Sequence, residues 1–196
     1  MTVTDVNVVK SAIFERPDDA NKGTLGSLLC VCGSYGMAGA AVMSAKGALR
    51  TGIGLAKCAL PRSIYPIVAQ TILESVYYPL SENADGRISK VNVPFLVSES
   101  CKSSATLIGC GLGVCDDTLK IVLSLIENST TPLVLDADAL NCVAKQPEIL
   151  LRKKAPIIIT PHPGEMSRLT GLATPLVNAE RERVALDFAQ KYGVAV

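Results

Sequence analysis

Four short apolar runs in this chain each end in a turn that cannot continue a strand, and each turn opens into a stretch with helical character. Ser27 to Cys32 runs into Gly33-Ser34-Tyr35-Gly36, and Ala105 to Ile108 into Gly109-Cys110-Gly111-Leu112-Gly113. Pro132 to Leu135 runs into Asp136-Ala137-Asp138-Ala139-Leu140-Asn141, and Ile157 to Ile159 into Thr160-Pro161-His162-Pro163-Gly164-Glu165. In the last of these the two prolines cannot donate to a sheet ladder and each disfavours helix in the residue before it, so the strand must stop and the backbone must turn. Buried strand, turn and helix in alternation predict an α/β domain, a mostly parallel sheet with helices on both faces. In such a sheet the four turns share the edge where open α/β folds place their ligands.

The rest of the chain fits that frame. Residues 1 to 22 read as a short helix or loop. Met37 to Thr51 is a helix of small residues that lets a ligand or another backbone approach closely. Leu55 to Leu60 is a second strand, Pro61 to Gln70 a helix, Ile72 to Tyr78 an apolar stretch of no definite type, and Asn83 to Gly86 a loop. Val91 to Ser98 and Asp116 to Glu127 read as helices, the latter with Leu119, Val122, Leu123 and Ile126 at helical spacing. A long helix is predicted from Leu176 to Tyr192. Gly193-Val194-Ala195-Val196 then resembles the opening of a further strand, so residues 1–196 read as one domain that is incomplete at its C-terminus.

Composition narrows the class. A chain of 196 residues with 48% hydrophobic but only 4% aromatic residues makes a core of Ala, Val, Ile and Leu, which suits a parallel sheet under helices. A net charge of +1 without a Lys/Arg cluster argues against a nucleic-acid partner. No run approaches the roughly 20 apolar residues of a membrane span. The seven cysteines include no Cys-x-x-Cys and there is one histidine, so buried free thiols are expected rather than a zinc site or disulfides. With an N-terminus that is neither signal nor transit peptide, the expected location is cytoplasmic.

Within the turns, some residue types carry chemistry. His162, between two prolines at a strand end, is placed to touch a ligand. Asp136 and Asp138 are carboxylates one residue apart. Asp138 either caps the following helix or serves a site, and Asp136 is the better placed to face a ligand or a metal-bound phosphate. Glu165 either complements the dipole of the helix it opens or organises phosphate. Gly109-x-Gly111-x-Gly113 lacks the dinucleotide-fingerprint spacing, and no Walker motif is present.

Taken in order, Lys22-Gly23-Thr24-Leu25-Gly26, Gly33-Ser34-Tyr35-Gly36-Met37-Ala38-Gly39-Ala40-Ala41, Leu107 to Gly113, Val134 to Asn141 and Thr160 to Glu165 resemble the NAD(P)H-hydrate dehydratase family of the ribokinase-like superfamily. The resemblance covers nearly everything from Lys22. It implies repair of NADH-hydrate or NADPH-hydrate with ADP or ATP as co-substrate and Mg2+ present, in a protein that is a homo-oligomer when full length. It further implies that Ala40, Gly111 and His162 line the substrate pocket and that Glu165 organises phosphate and metal, the role for which Asp136 is also placed by its position at a strand end. Many related kinases of small alcohols have Asn where this chain has His162, and Asn21 stands where the family often has His. The family's nucleotide-binding Lys-Gly segment and the Gly-Thr-Gly-Asp turn bearing the catalytic base are expected beyond Val196, so the 196-residue chain is expected to be inactive alone. Two further readings stay open: a ribokinase-like kinase of a small heterocyclic alcohol, and a non-catalytic nucleotide-binding module.

Overall fold

The computed structural model describes residues 18–196. The helix or loop expected over residues 1–22 lies mostly outside them; Asn21 to Thr24 form a turn closed by the Thr24 N–H on the Asn21 carbonyl at 3.1 Å.

Six parallel strands make one sheet: β1 (Ser27–Val31), β2 (Leu55–Pro61), β3 (Val76–Leu80), β4 (Ala105–Ile108), β5 (Leu133–Leu135) and β6 (Ile157–Ile159), in the order β3-β2-β1-β4-β5-β6. The helices between them are α1 (Ala38–Arg50), α2 (Tyr65–Thr71), α3 (Val93–Cys101), α4 (Asp116–Asn128), α5 (Asp138–Val143) and α6 (Pro163–Thr170), followed by α7 (Thr174–Ala179) and α8 (Arg181–Tyr192). Alternating side chains send each strand into two cores. Leu29 and Val31 of β1 join Ile108, Ile121, Leu125 and Leu135 on one face. Cys30 and Cys32 join Ala41, Ala45, Cys58, Leu60 and Val68 under α1 and α2 on the other. Helices on both faces follow from strands that are apolar on both sides.

The strand order has a consequence for function. The chain winds outward from β1 to β3, then returns to pair β4 with β1 and winds the other way. The direction therefore reverses between β1 and β4, where the turns Gly33–Gly36 and Gly109–Gly113 follow their carboxyl ends. Doubly wound sheets bind ligands at such a switch point.

Three elements differ from the sequence reading. Pro61 ends β2 in extended backbone opposite Leu80, and a 3₁₀ turn (Arg62–Ile64) precedes α2. The apolar stretch Ile72 to Tyr78 holds the end of α2 and the start of β3, with Ile72 buried as the helix C-cap. The long helix Leu176 to Tyr192 is two helices, because Glu180 leaves helical geometry at φ −127° and ψ 38°. The break has a packing reason: α7 lies against α6 whereas α8 lies against the 3₁₀ turn Pro147–Arg152, and a straight helix could not cover both. Ala195 pairs in parallel with Ile158, its N–H on the Ile157 carbonyl at 2.9 Å, which lays a first rung beyond β6 where a further strand was expected.

Candidate active site at the carboxyl edge of the sheet

The four strand-end turns meet at one edge and are tied to each other by hydrogen bonds between residues distant in sequence. Ser34, buried, donates its hydroxyl to the Gly111 carbonyl at 2.8 Å, and the Gly33 N–H binds the Cys110 carbonyl at 2.8 Å. The Gly113 N–H binds Asp138 Oδ2 at 2.8 Å. Thr160 Oγ1 donates to Asp136 Oδ1 at 2.7 Å, and the Cys110 thiol lies 3.2 Å from Asp136 Oδ2. Asp136 is therefore the link between the second and fourth turns, with both carboxylate oxygens engaged by the protein.

Backbone proximity is extreme between the second and third turns. A Cβ on Gly109, at φ +131°, would lie 1.7 Å from the Asp136 carbonyl oxygen, so only glycine can stand there. Gly111, at φ +68°, brings its Cα against α1: a Cβ on it would meet that of Ala40 at 2.6 Å. The structure thus places two of the expected pocket residues, Ala40 and Gly111, face to face on the two sides of the switch point. The N-terminus of α1 lies at the same switch point with no side-chain cap and no acidic residue in its first turn, and the Ala40 N–H binds the Met37 carbonyl at 3.2 Å, so the positive end of the helix dipole is not neutralised by a side chain.

His162 caps α6. Its Nδ1 accepts the N–H groups of Gly164 at 3.0 Å and Glu165 at 3.4 Å, and Glu165 Oε2 accepts the His162 N–H at 2.9 Å, a reciprocal capping box. Nδ1 as acceptor makes the neutral ring the Nε2–H tautomer, and Nε2 is 3.3 Å from Glu165 Oε1. The ring stays 62% exposed while the Glu165 carboxylate beneath it is 6% exposed, so Glu165 holds and His162 presents.

Asp138 departs from the capping alternative. The N-cap of α5 is Ala137, at φ 48° and ψ −114°, with no side-chain cap, and Asp138 begins the helix with its carboxylate turned to Gly113. Ala137 is the one non-glycine with positive φ among the described residues, a backbone strain of about 1–3 kcal/mol. It lies between two carboxylates at the edge, where such strain characteristically accumulates.

Several contacts at this edge were not assigned from the sequence, although Tyr35 and Asn141 stand in two of its turns. Tyr35 is 75% exposed at the rim, and its N–H binds the Gly86 carbonyl at 2.9 Å, bringing the loop after β3 over the site. Arg87 of that loop covers Gly113, where a Cβ would lie 2.4 Å from its Nε. Asn141 receives the Arg168 Nε–H at 2.8 Å. The glycine and asparagine composition of Asn83 to Gly86 marked a loop, but not which turn it would cover. A groove of about 230 Å3 between α6 and α8, lined by Leu172, Phe188 and Tyr192, contains none of the four turns.

All seven cysteines are free. Cys32, wholly buried, has its thiol raised well above the ordinary value by its hydrogen bond to Cys110 and by burial. No helix of the described residues is long and apolar enough to cross a membrane, and among them no three His, Cys, Asp or Glu side chains gather as a metal centre.

This doubly wound sheet with its small-residue helix and glycine turn at the switch point is a ribokinase-like fold: a ribokinase-like superfamily protein from Enterococcus faecalis superposes with a TM-score of 0.75 over 93% of this chain and 60% of its own, at 19% identity. Within that class, residues 28–196 match the NAD(P)H-hydrate dehydratase family, and the chain belongs to it. It is 37% identical over 176 residues to the bifunctional NAD(P)H-hydrate repair enzyme of Thermofilum pendens, covering 90% of this chain and 34% of that protein. The ADP/ATP-dependent NAD(P)H-hydrate dehydratase of Bacillus subtilis, co-crystallised with ATP and Mg2+, superposes with a TM-score of 0.76 at 27% identity, over 96% of this chain and 62% of that one. The chain thus spans about a third of the bifunctional enzyme and under two thirds of the solved dehydratase.

Proposed function

We propose that this chain forms the substrate-side wall of an ADP- or ATP-dependent dehydratase that restores NADH or NADPH from their hydrated forms. The observation that carries the reading is the close approach of Ala40 to Gly111 at a tied sheet edge whose fourth turn presents the ring of His162. Small residues at 40 and 111 admit a flat ring against backbone, and the exposed ring of His162 is open to the hydrated ring or its amide. The chemistry needs little more of this wall than position. The ring hydroxyl attacks the terminal phosphorus of the nucleotide, the nucleotide leaves with the bridging oxygen, and the resulting phosphate ester is a good leaving group where hydroxide was not. The ring nitrogen lone pair then expels phosphate to leave an iminium, and loss of a proton from the neighbouring ring carbon to water or the released phosphate re-forms the C=C bond.

Glu165 and Asp136 serve this wall by fixing it: one holds the His162 backbone, the other joins the turns at Cys110 and Thr160. Their oxygens, like those of Asp138, are engaged by protein donors, so the described residues form no Mg2+ centre of their own and no step is assigned to the ion. A base to take the hydroxyl proton is not among the residues of this edge. A cytoplasmic homo-oligomer belongs to the same reading of the full-length protein.

The test uses purified chain, hydrated NADPH and ADP. Saturable binding of the hydrated dinucleotide without recovery of dihydropyridine absorbance is expected. Phosphorylation of a hydroxyethyl heterocycle in preference to any binding of the dinucleotide would overturn the assignment in favour of a small-alcohol kinase.

A further inference from the structure

The third turn is joined to α6 by a relay that ends in an arginine with no counter-ion among the described residues. Asp138 holds the Gly113 amide with Oδ2, and its Oδ1 lies 3.4 Å from Asn141 Nδ2. Asn141 Oδ1 in turn accepts the Arg168 Nε–H at 2.8 Å. Arg168 is on α6, and helical side chains lean toward the N-terminus, so its long arm reaches back over the first turn. A Cβ on Gly164 would find His162 Cε1 at 3.0 Å and Arg168 Nη1 at 3.9 Å, which puts the imidazole and the guanidinium side by side around the same glycine.

Carboxylates that should pair with this arginine are turned away. Glu165 is three residues earlier on the same helix, a position suited to an ion pair. Its carboxylate is instead buried against the His162 N–H. Asp138, one hydrogen bond along the relay, faces Gly113 and Asn141. Among the described residues Arg168 has no salt bridge, and Nη1 and Nη2 have no acceptor. A guanidinium whose orientation is fixed through Nε, and whose remaining fork is open beside a presented imidazole, matches two oxygens of a phosphate.

We infer that Arg168 is a phosphate-binding residue of this site, taking a phosphoryl group of the ligand whose ring or base lies against His162. The inference rests on the dehydratase reading. The phosphate belongs either to the dinucleotide's pyrophosphate or to the nucleotide co-substrate, and Asn141 is the positioning residue that aims the fork.

The test is calorimetric titration of the chain with NADPH, with ADP, and with the phosphate-free reduced nicotinamide riboside, at two ionic strengths. R168Q keeps an N–H that can reach Asn141 but removes the charge. It is expected to melt with the unaltered chain, to weaken NADPH or ADP by about tenfold, as for loss of one charge-assisted contact, and to leave the riboside unchanged. Loss confined to NADPH assigns the arginine to the dinucleotide, and loss confined to ADP assigns it to the co-substrate. N141A, which leaves the charge but frees it, is expected to weaken the same ligand a few-fold and serves if R168Q does not fold. R168Q binding both phosphate ligands as tightly as the unaltered chain, or losing the riboside equally, overturns the inference and leaves the dehydratase reading intact. An unaltered chain that binds neither NADPH nor ADP overturns both.

Discussion

Glu165 and His162 cap each other: the carboxylate accepts the His162 N–H at 2.9 Å, and the imidazole Nδ1 accepts the Glu165 N–H at 3.4 Å. Removing either partner therefore mixes two effects, helix capping and ligand contact. H162N separates them, because Asn is among the best N-caps. Its unfolding free energy in urea is expected to stay within about 0.5 kcal/mol of the unaltered chain, while binding of hydrated NADPH is lost. E165A is expected to lower stability by about 2 kcal/mol, since it leaves the His162 amide without its acceptor.

Gly109 and Gly36 both have positive φ, but only Gly109 faces an obstacle. G109A drives a methyl group into the Asp136 carbonyl and is expected to cost about 4 kcal/mol or to prevent folding. At Gly36, with φ +83° and nothing within 4 Å of a Cβ, alanine is expected to cost only about 1 kcal/mol. Denaturant melts of the two variants check this difference.

Asp138 is an acceptor for the second turn rather than a cap. D138A is expected to lose about 1–2 kcal/mol by leaving the Gly113 amide without its partner. D138N keeps an oxygen for that amide and should recover most of the loss, whereas a capping role at α5 would leave the Gly113 amide unaffected in hydrogen exchange.

The thiols divide by environment. Burial raises the Cys115 thiol, but hydrogen bonds from Thr118, Arg87 and the Asp117 amide together outweigh it and hold the group below its ordinary value. Burial pushes Cys142 up from 9.0 to about 11. Alkylation followed by peptide mass analysis should label Cys115 before Cys142 as pH is raised, with Cys142 labelled only on unfolding or in strong alkali. Between about pH 9 and pH 11 the unfolded chain loses the Cys142 proton that the folded chain keeps, so this group's contribution is intact below pH 9 and stability falls across that window.

Much of this architecture was legible in order along the chain. Ile157 to Ile159, Ala105 to Ile108 and the turns that end them announce strands and their carboxyl edge, because buried strands and forced turns are local properties. The order of strands was not legible, and with it the switch point that sets Ala40 against Gly111. The same holds for Asn141 with Arg168 and for Tyr35 with Gly86: each pair joins elements whose proximity is decided by packing alone. The helix break at Glu180 was missed because Val177, Val184, Phe188 and Tyr192 keep helical spacing across it. Ala137 carries no sign of its positive φ, since alanine is a residue that ordinarily avoids it.

The central claim is that His162 and the tied turns form a dinucleotide-binding wall. Titrating hydrated NADPH into the 196-residue chain and into H162N, with circular dichroism confirming that both are folded, tests it most directly. The account predicts saturable one-site binding to the unaltered chain and none to H162N. Equal binding to both, or none to the unaltered folded chain, would contradict it.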